Sequence, residues 1–406
     1  MRLHIFEKAW SILVLVFLLI VFSRPLLGHP TPSPNLRVDA QSAVLMDFLS
    51  GQVLYEQSSR LKMAPASFVK ILTLYTALDT IRARKLRMDD RVTISEKAWK
   101  TGGSKMFLKV GERVKLEDLL KGIAIVSAND ACVALAEYMA GSEDNFVLEM
   151  NKRAQLIGLK DSQLKNSHGM PAEGQQMTAF DVALLARRYV EDCPEALPLH
   201  STKVFEHNGI RQHNRNTLLQ KDIGVDGLIT GYVERSGYHL TATAKRGSQR
   251  LITVVMGCNQ MEQRTRESQK LLEYGFRNFS TVKAVEKGTL FGPEKVIRGK
   301  QSQVHLVPAE EGWVTVEKGK EKSITLTPEV PQYISAPIEK GQRVAKLFVQ
   351  SEGRILKEIP LLSLSDVPKG FYLLWLFIGG GVLSLAFIGL IMVWLTRRSK
   401  KRKFYR

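Results

Sequence analysis

A serine and a lysine three residues apart, Ser67 and Lys70, form the pattern with the clearest chemistry in this chain of 406 residues. They stand at the head of an apolar run, residues 71–78, which is typical of a buried helix. If Pro65 and Ser67 begin that helix, the serine and lysine share one face. A serine hydroxyl needs a neighbouring base, and a desolvated lysine has a pKa low enough to act as one. The pattern predicts a lysine-activated serine nucleophile; an N-cap serine followed by a solvated lysine is the alternative.

A second polar pair, Ser127 and Asn129, falls between two helical stretches, residues 116–124 and 130–136. On a turn between helices, both side chains can point the same way. The hydroxyl could relay a proton, and the amide could hold a peptide carbonyl. The same residues are also common helix caps, so this pair alone does not decide the function.

One histidine and the three cysteines are weaker candidates for functional residues. His168, in the turn-rich stretch 166–171, could be a ligand or base, or could simply pack the loop. Cys132, Cys193 and Cys258 are odd in number and lack metal-ligand spacing, so we expect buried thiols. We expect no metal site and no cofactor.

The elements around these residues predict an α+β catalytic domain over residues 36–276, with an antiparallel sheet flanked by helices. Alternating residues 42–48 and 53–55, with a turn at Ser50-Gly51, predict a hairpin. Three later strand runs predict an antiparallel meander. Three further helices are expected, in addition to those next to Ser67 and Ser127. The strand runs are 225–232, 240–244 and 251–256, and the helices are 144–157, 179–189 and 266–272.

Residues 281–366 have a different residue pattern, in which short β-type runs are separated by glycine-containing turns. Such regular turns predict a small all-β domain. It holds no catalytic-looking cluster, so we expect a spacer or docking module. The expected strands are 296–297, 304–307, 313–316, 324–326 and 344–349.

The two ends of the chain predict export and membrane attachment. Residues 1–28 resemble a secretory signal peptide, with an uncleaved anchor as the alternative. Residues 371–395 carry no charge and predict a C-terminal transmembrane helix, and the basic tail 396–406 predicts a cytoplasmic end. The catalytic body would then lie on the extracytoplasmic side of the cell membrane.

The net charge of +18 does not predict nucleic-acid binding. Seven of the basic residues lie in the C-terminal tail, and the rest are spread out rather than clustered with aromatic residues. An anionic cell-wall polymer or membrane surface suits this distribution better.

With Ser67-x-x-Lys70, Ser127-x-Asn129 and Thr230-Gly231 in this order, the chain resembles the penicillin-recognising serine D-Ala-D-Ala carboxypeptidases. The resemblance runs from about residue 39 to 276 and includes the stretches 103–107, 119–122, 134–137 and 225–228. It implies a β-lactamase/DD-peptidase-like fold, and the β domain looks like the C-terminal domain of that family.

The resemblance also implies roles for individual residues. Ser67 would attack the carbonyl between the two terminal D-alanines of a peptidoglycan stem peptide, with Lys70 as its base. Ser127 would pass a proton to the leaving D-alanine, and Asn129 would hold the substrate amide. The backbone N–H groups of Ser67 and Tyr232 would hold the oxyanion, and β-lactams would acylate the same serine.

One position departs from the family pattern. The third motif of the family is Lys-Thr-Gly, and here Ile229 stands in place of its lysine, which helps bind the terminal carboxylate of the substrate. Thr230 can still donate to that carboxylate, and Arg264 matches a family arginine near the site. Two functions therefore stay open: an active D-Ala-D-Ala carboxypeptidase, and a weakened or inactive homologue that binds wall peptides or partners. A β-lactamase is disfavoured because the Glu-x-x-Leu-Asn deacylation motif is missing.

Overall fold

The computed structural model describes residues 36–370 and 373–402 of the chain. The signal peptide predicted over residues 1–28 lies outside the described residues. The strands and helices in chain order are β1 (Ser42–Asp47), β2 (Val53–Gln57), α1 (Val69–Arg84), β3 (Arg91–Thr93), α2 (Glu96–Lys100), β4 (Arg113–Lys115), α3 (Leu116–Val126), α4 (Asn129–Ala140), α5 (Glu143–Leu156), α6 (Ala179–Asp192), α7 (Leu197–Ser201), β5 (Val204–His207), β6 (Ile210–His213), β7 (Val225–Val233), β8 (Gly237–Arg246), β9 (Gln249–Cys258), α8 (Met261–Asn278), β10 (Phe279–Val285), β11 (Phe291–Ile297), β12 (Gln303–Pro308), β13 (Gly312–Glu317), β14 (Ile324–Glu329), β15 (Ile334–Ser335), β16 (Arg343–Ser351), β17 (Arg354–Ser363) and α9 (Leu373–Arg402).

The chain forms two units, of which the first runs to Val282 and also includes Trp313–Ile324. Its sheet has the strand order β2-β1-β9-β8-β7. All neighbouring strands in it are antiparallel, and the central strands are buried on both faces. The predicted hairpin, the predicted meander and the α+β fold class are therefore confirmed.

Helix α1 is the centre of the helical layer. Its apolar residues from Val69 to Leu78 are buried on every side, as expected of a helix that is hydrophobic all round. It packs against α3, α4, α5 and α6. This packing fixes the position and direction of the side chains at its N-terminal end.

The start of α1 corrects the helix boundary that the sequence predicts. Residues Ala66–Phe68 form a 3-10 turn, α1 begins at Val69, and no side chain caps either start. Ala66 has φ of +49°, a left-handed conformation that is unfavourable for a residue with a Cβ. The hydroxyl of Ser67 is therefore not used for capping and is available for other contacts.

The second unit contains Lys283–Gly312 and the chain from Thr325 onward. A six-stranded sheet has the order β14-β16-β17-β12-β11-β15. Four of the five expected strand runs after residue 281 are observed in this unit, in β11, β12, β14 and β16, and the fifth is observed in β13, most of which belongs to the first unit. The sequence does not predict strand β17, because Pro360 and the charged residues Lys357 and Glu358 interrupt its apolar pattern.

The last described element, α9, is a helix of 30 residues. A membrane span needs about 20 consecutive apolar residues. In the part of the chain that the structure describes, no helix is long and apolar enough to cross a bilayer. The span predicted over residues 371–395 is therefore not supported.

Two glycines allow the loop 166–170 and strand β7 to approach the turn at Ser67. A Cβ on Gly169, which has φ of +89°, would overlap the carbonyl oxygen of Ala66 and lie 2.5 Å from its carbonyl carbon. A Cβ on Gly231 would lie 2.9 Å from Ala66 Cβ and 3.2 Å from the backbone nitrogen of Ser67. Only a residue without a side chain fits at Gly169, because its nearest neighbours are backbone atoms.

We predict that Gly169→Ala destabilises the chain more than Gly174→Ala does. Both glycines have left-handed φ values, +89° and +74°, but a Cβ on Gly174 would meet only Lys165 Cε, at 3.5 Å. Overpacking costs about 1–3 kcal/mol, so the free energy of unfolding should fall by about that much more in Gly169→Ala. Urea titration of both variants followed by circular dichroism measures this difference. Equal losses would show that the close approach does not constrain residue 169.

Candidate active site

A cavity of about 660 Å³ opens where the turn at Ser67, the start of α4, the loop 166–170 and strand β7 meet. It brings together most of the residues that the sequence singled out. The lining residues are Ala66, Ser67, Gly103, Ser104, Ser127, Asn129, His168, Gly169, Met170, Asn214, Arg215, Thr217, Thr230, Gly231, Tyr232, Val233, Tyr238, Met261 and Arg264.

Ser67 is the centre of the polar contacts in this cavity. Lys70 Nζ lies 3.0 Å from Ser67 Oγ and donates to it. Ser127 Oγ, from the turn between α3 and α4, lies 2.8 Å from the same oxygen. The structure thus places a potential base and a potential proton relay on the hydroxyl of one serine.

Lys70 is an amine enclosed by protein, with 1% of its surface exposed. Burial lowers its pKa from 10.5 to about 8, and the positive charge of Arg215 contributes to the lowering. Its Nζ also donates to the carbonyl oxygen of His168 at 2.5 Å. A neutral amine held by that carbonyl keeps a lone pair for the Ser67 proton, which is the arrangement that general-base activation requires.

The loop that supplies this carbonyl is fixed by a buried carboxylate. Glu143 Oε1 accepts hydrogen bonds from the Ser167 backbone nitrogen at 3.1 Å and from Ser167 Oγ at 2.8 Å. Its other oxygen lies 2.9 Å from Lys97 Nζ. The carbonyl of Ser167 in turn accepts from Thr73 Oγ1 at 2.6 Å. The loop is therefore tied both to α1 and to the start of α5.

Ser127 and Asn129 occupy the inter-helix turn that the sequence predicts. Ser127 has φ of +59° at the end of α3, and Asn129 is the first residue of α4. Asn129 Nδ2 donates to the carbonyl of Gly102 at 2.7 Å, and its backbone nitrogen donates to the carbonyl of Ser104 at the same distance. These bonds hold the stretch 102–104 against the turn as one wall of the cavity.

Strand β7 and helix α8 form the opposite wall. Thr230, Gly231 and the exposed ring of Tyr232 line the cavity. Arg264 Nη1 donates to the carbonyl of Gly231 at 2.9 Å, so this arginine supports the strand as well as facing the cavity. Burial lowers the pKa of Arg264 to about 10, which leaves it cationic at neutral pH.

Ile229 lies outside the cavity lining. It is 3% exposed and belongs to the apolar cluster that surrounds α1. Its side chain contributes packing, and it brings neither charge nor a hydrogen bond to the cavity. Among the residues singled out as site candidates on β7, it is the one that the structure does not place on the cavity wall.

The sequence did not reveal two of the polar groups around the cavity. Arg215 lines it, and its Nε donates to the carbonyl of Val126 at 3.1 Å. The carbonyl of His168 contacts Lys70, but a main-chain group has no signature in a sequence. The only signal for Arg215 was its position between Asn214 and Asn216, two residues typical of turns.

The structure favours loop packing for His168, and it buries the three cysteines. Burial lowers the pKa of His168 to about 4, so the ring is neutral, and its Nδ1 accepts from the Met170 backbone nitrogen at 3.2 Å. The three cysteines are buried and unpaired, as expected. Within residues 36–370 and 373–402, no group of acidic, histidine or cysteine side chains could hold a metal ion.

The comparisons with known proteins point to one family. The family model described as D-alanyl-D-alanine carboxypeptidase matches residues 29–260. The model described as the C-terminal domain of penicillin-binding protein 5 matches residues 279–369.

Similar proteins cover most of the chain. It is 41% identical over 342 residues to the D-alanyl-D-alanine carboxypeptidase DacC of Escherichia coli (strain K12), covering 82% of this chain and 85% of that protein. It is 35% identical over 347 residues to DacF of Bacillus subtilis (strain 168), covering 84% and 89%.

Solved structures agree with this result. Penicillin binding protein 5 from Haemophilus influenzae matches with a TM-score of 0.80 and 36% identity, covering 83% of this chain and 100% of that one. Penicillin-binding protein D2 from Listeria monocytogenes in the ampicillin-bound form matches with a TM-score of 0.56 and 28% identity, covering 60% and 100%. The chain therefore belongs to the D-alanyl-D-alanine carboxypeptidase family and is a serine-type carboxypeptidase.

Proposed function

We propose that this chain removes the terminal D-alanine from peptidoglycan stem peptides through an acyl-enzyme on Ser67. One observation carries the proposal: Ser67 Oγ has Lys70 Nζ at 3.0 Å and Ser127 Oγ at 2.8 Å, inside a cavity. A nucleophile, a base and a second hydroxyl within hydrogen-bond reach are the parts that acyl transfer needs.

The chemical steps follow from these contacts. Neutral Lys70 takes the Ser67 proton as Ser67 Oγ bonds to the carbonyl carbon of the penultimate D-alanine. Ser127 passes its proton to the leaving nitrogen and takes the proton that Lys70 now holds, the peptide C–N bond breaks, and the terminal D-alanine departs. A water molecule then attacks the ester. Its hydroxyl group stays on the acyl carbon, its proton goes to Ser67 Oγ, and the shortened peptide leaves with a new terminal carboxylate.

The cavity walls have matching roles. The backbone N–H groups of Ser67 and Tyr232 would stabilise the oxyanion, and such donors are typically worth about 3–4 kcal/mol. Asn129 would hold the substrate amide, and Thr230 and Arg264 would bind the terminal carboxylate. Because Gly103 and Ser104 line the same cavity as Thr230 and Gly231, a peptide can lie between β7 and the wall at 102–104.

β-Lactams would acylate the same serine, because they present a reactive carbonyl beside a carboxylate. The ampicillin-bound form of the similar Listeria protein supports this part of the proposal.

Peptidoglycan lies outside the cytoplasm, so we place the catalytic body, with limits at residues 36–276, on the extracytoplasmic side. Residues 281–366 would form a separate β domain.

A second candidate function is a weakened or inactive homologue that binds wall peptides or partners without turnover. The burial of Ile229 in the apolar core favours it, because no ammonium reaches the cavity from that position. The contacts of Ser67 favour the enzyme, since a binding protein has no need of a base with a lowered pKa.

We predict that Ser67→Ala abolishes covalent labelling by a fluorescent penicillin. The variant removes the nucleophilic oxygen and little volume, so the thermal unfolding midpoint should stay close to that of the native chain. Mass spectrometry of the labelled peptide identifies the modified residue. Labelling that persists in Ser67→Ala would remove this serine from the proposed role.

We predict that acylation accelerates with rising pH and levels off above about pH 8. Lys70 acts as a base only when neutral, and its pKa lies near 8 because it is buried. Below that value the second-order rate of penicillin acylation should rise about tenfold per pH unit. Stopped-flow measurements between about pH 6 and pH 10 test this dependence. A flat or falling profile would contradict Lys70 as the base.

We predict slow but measurable D-alanine release by the native chain and a gain for Ile229→Lys. One charge-assisted contact to the carboxylate is worth about 1.5–3 kcal/mol, which corresponds to about a 10- to 150-fold change in kcat/KM. Release from diacetyl-Lys-D-Ala-D-Ala measures both chains, with Ser67→Ala as the blank. Ile229→Met, which adds length without charge, is the matched control.

Three outcomes separate the alternatives. A gain for Ile229→Lys that Ile229→Met does not reproduce supports the charge explanation. Rapid release by the native chain with no gain would show that carboxylate binding does not depend on position 229. Folded variants that all lack activity would identify a binding homologue.

A further inference from the structure

A second cavity adjoins the one that contains Ser67. It has a volume of about 430 Å³ and lies between the segment 61–65, the loop 171–176 and the turn that follows β7. Gly169 and Val233 line both cavities. The space around Ser67 therefore continues over these two residues into the second cavity, which the chemical steps at Ser67 do not use.

Hydrogen bonds connect the three walls of the second cavity. Met63 and Met177 exchange two backbone hydrogen bonds of 3.0 Å, which attach the segment 61–65 to the end of the neighbouring loop. Ser236 Oγ donates to the carbonyl of Ala64 at 3.0 Å, which attaches the turn after β7 to the same segment. The second cavity therefore has a defined shape.

The direction of the substrate leads toward this cavity. In the proposed function, the terminal carboxylate lies at Thr230 and the scissile carbonyl lies at the backbone nitrogen of Tyr232. The residues that precede the scissile bond must then extend away from Thr230, which along β7 means toward Val233. Val233 is where the two cavities meet. The second cavity is therefore on the acyl side of the bond that is cleaved.

The charges around the second cavity favour an anionic group. Its charged lining residues are Lys62, Glu173 and Arg235, and all three are exposed. Lys62 Nζ lies 3.6 Å from Asp161 Oδ1, so its charge is already partly paired. Among the residues that the structure describes, no acidic side chain pairs with the guanidinium of Arg235. A guanidinium without an acidic partner suits a carboxylate of a ligand.

We propose that the second cavity binds the part of the stem peptide that precedes D-Ala-D-Ala, and that Arg235 receives the free carboxylate of its second residue, a γ-linked D-glutamate. This inference rests on the proposed function, which sets the direction of the peptide. That carboxylate is about three residue lengths, roughly 10 Å, from the scissile carbonyl. Arg235 follows Tyr232 by three residues, so its long side chain can reach that distance. Arg235 is then a specificity-determining residue outside the cavity of Ser67.

The test compares three peptides that end in D-Ala-D-Ala. The first is L-Ala-γ-D-Glu-L-Lys-D-Ala-D-Ala, and the second is the same pentapeptide with the glutamate carboxylate amidated. The third is diacetyl-Lys-D-Ala-D-Ala, which lacks the first two residues. D-Alanine release gives kcat/KM on each peptide for the native chain, for Arg235→Gln and for Ala172→Trp, whose indole would occupy the second cavity. Arg211→Gln is the matched control, since Arg211 is exposed and lines neither cavity.

We expect the native chain to have about a fivefold higher kcat/KM on the first pentapeptide than on the amidated one, because an exposed ion pair contributes up to about that much. Arg235→Gln should lose this preference, and Arg211→Gln should keep it. Ala172→Trp should lower kcat/KM on both pentapeptides relative to the tripeptide, since it fills the space that they need. NaCl at about 0.5 M should reduce the native preference, because salt screens exposed charges.

The contrary results are equally specific. Equal kcat/KM of the native chain on the two pentapeptides, or a preference that survives in Arg235→Gln, would overturn the role of Arg235. Pentapeptide-to-tripeptide ratios that stay at the native value in Ala172→Trp would overturn the subsite. A ratio between two substrates does not depend on the folded fraction of a variant, so a folding defect can neither imitate nor hide these results.

Failure of this inference is distinguishable from failure of the proposed function. If the native chain neither releases D-alanine from the tripeptide nor takes up penicillin on Ser67, the proposed function fails, and this inference fails with it. If the native chain cleaves the tripeptide but shows no preference between the pentapeptides, the proposed function stands and the role of Arg235 fails alone.

Discussion

The site depends on an amine that is kept inside the protein. Lys70 is 1% exposed, and a charged group in such a place is costly unless other groups pair with it. Here the contacts are polar but uncharged: Ser67 Oγ at 3.0 Å and the carbonyl of His168 at 2.5 Å. Neither contact neutralises an ammonium, so burial favours the neutral amine and lowers its pKa to about 8. Burial of Lys70 costs free energy, and it also lowers the pKa of the amine enough for Lys70 to act as a base.

Much of the surrounding structure keeps those two contacts in place. Helix α1 holds Lys70 because its apolar residues are buried on all sides. The loop 166–170 holds the His168 carbonyl because Glu143 binds Ser167 and Gly169 fits against the backbone of Ala66. Each of these restraints comes from a different element. A displacement of any one of them changes the distance between the amine and its partners.

The cavity keeps a positive charge although β7 brings no cation to it. Ile229 packs into the core from that strand, so the strand contributes Thr230 and Gly231 but no cation. Arg215 lines the cavity from another segment, whose backbone is held by Asn214 and Asn216. This explains how a chain with an altered third motif can keep an electropositive cavity.

Local patterns in the sequence determined the elements, and tertiary packing decided the site. The β1–β2 hairpin, the β7–β9 meander and the buried α1 follow from alternation and continuous apolar runs, which are local and are read directly. The limits of α8 and the existence of β17 did not follow. Helix α8, Met261–Asn278, packs against β8 and β9, and β17 pairs with β12 and β16 despite its proline. The pair Ser67 and Lys70 could be predicted because it lies within one helical turn. The contact of Ser127 with Ser67, the carbonyl of His168 on Lys70 and the position of Arg215 join residues that are far apart in the chain. No periodicity encodes those distances; they arise only when the helices and the sheet pack around a common core.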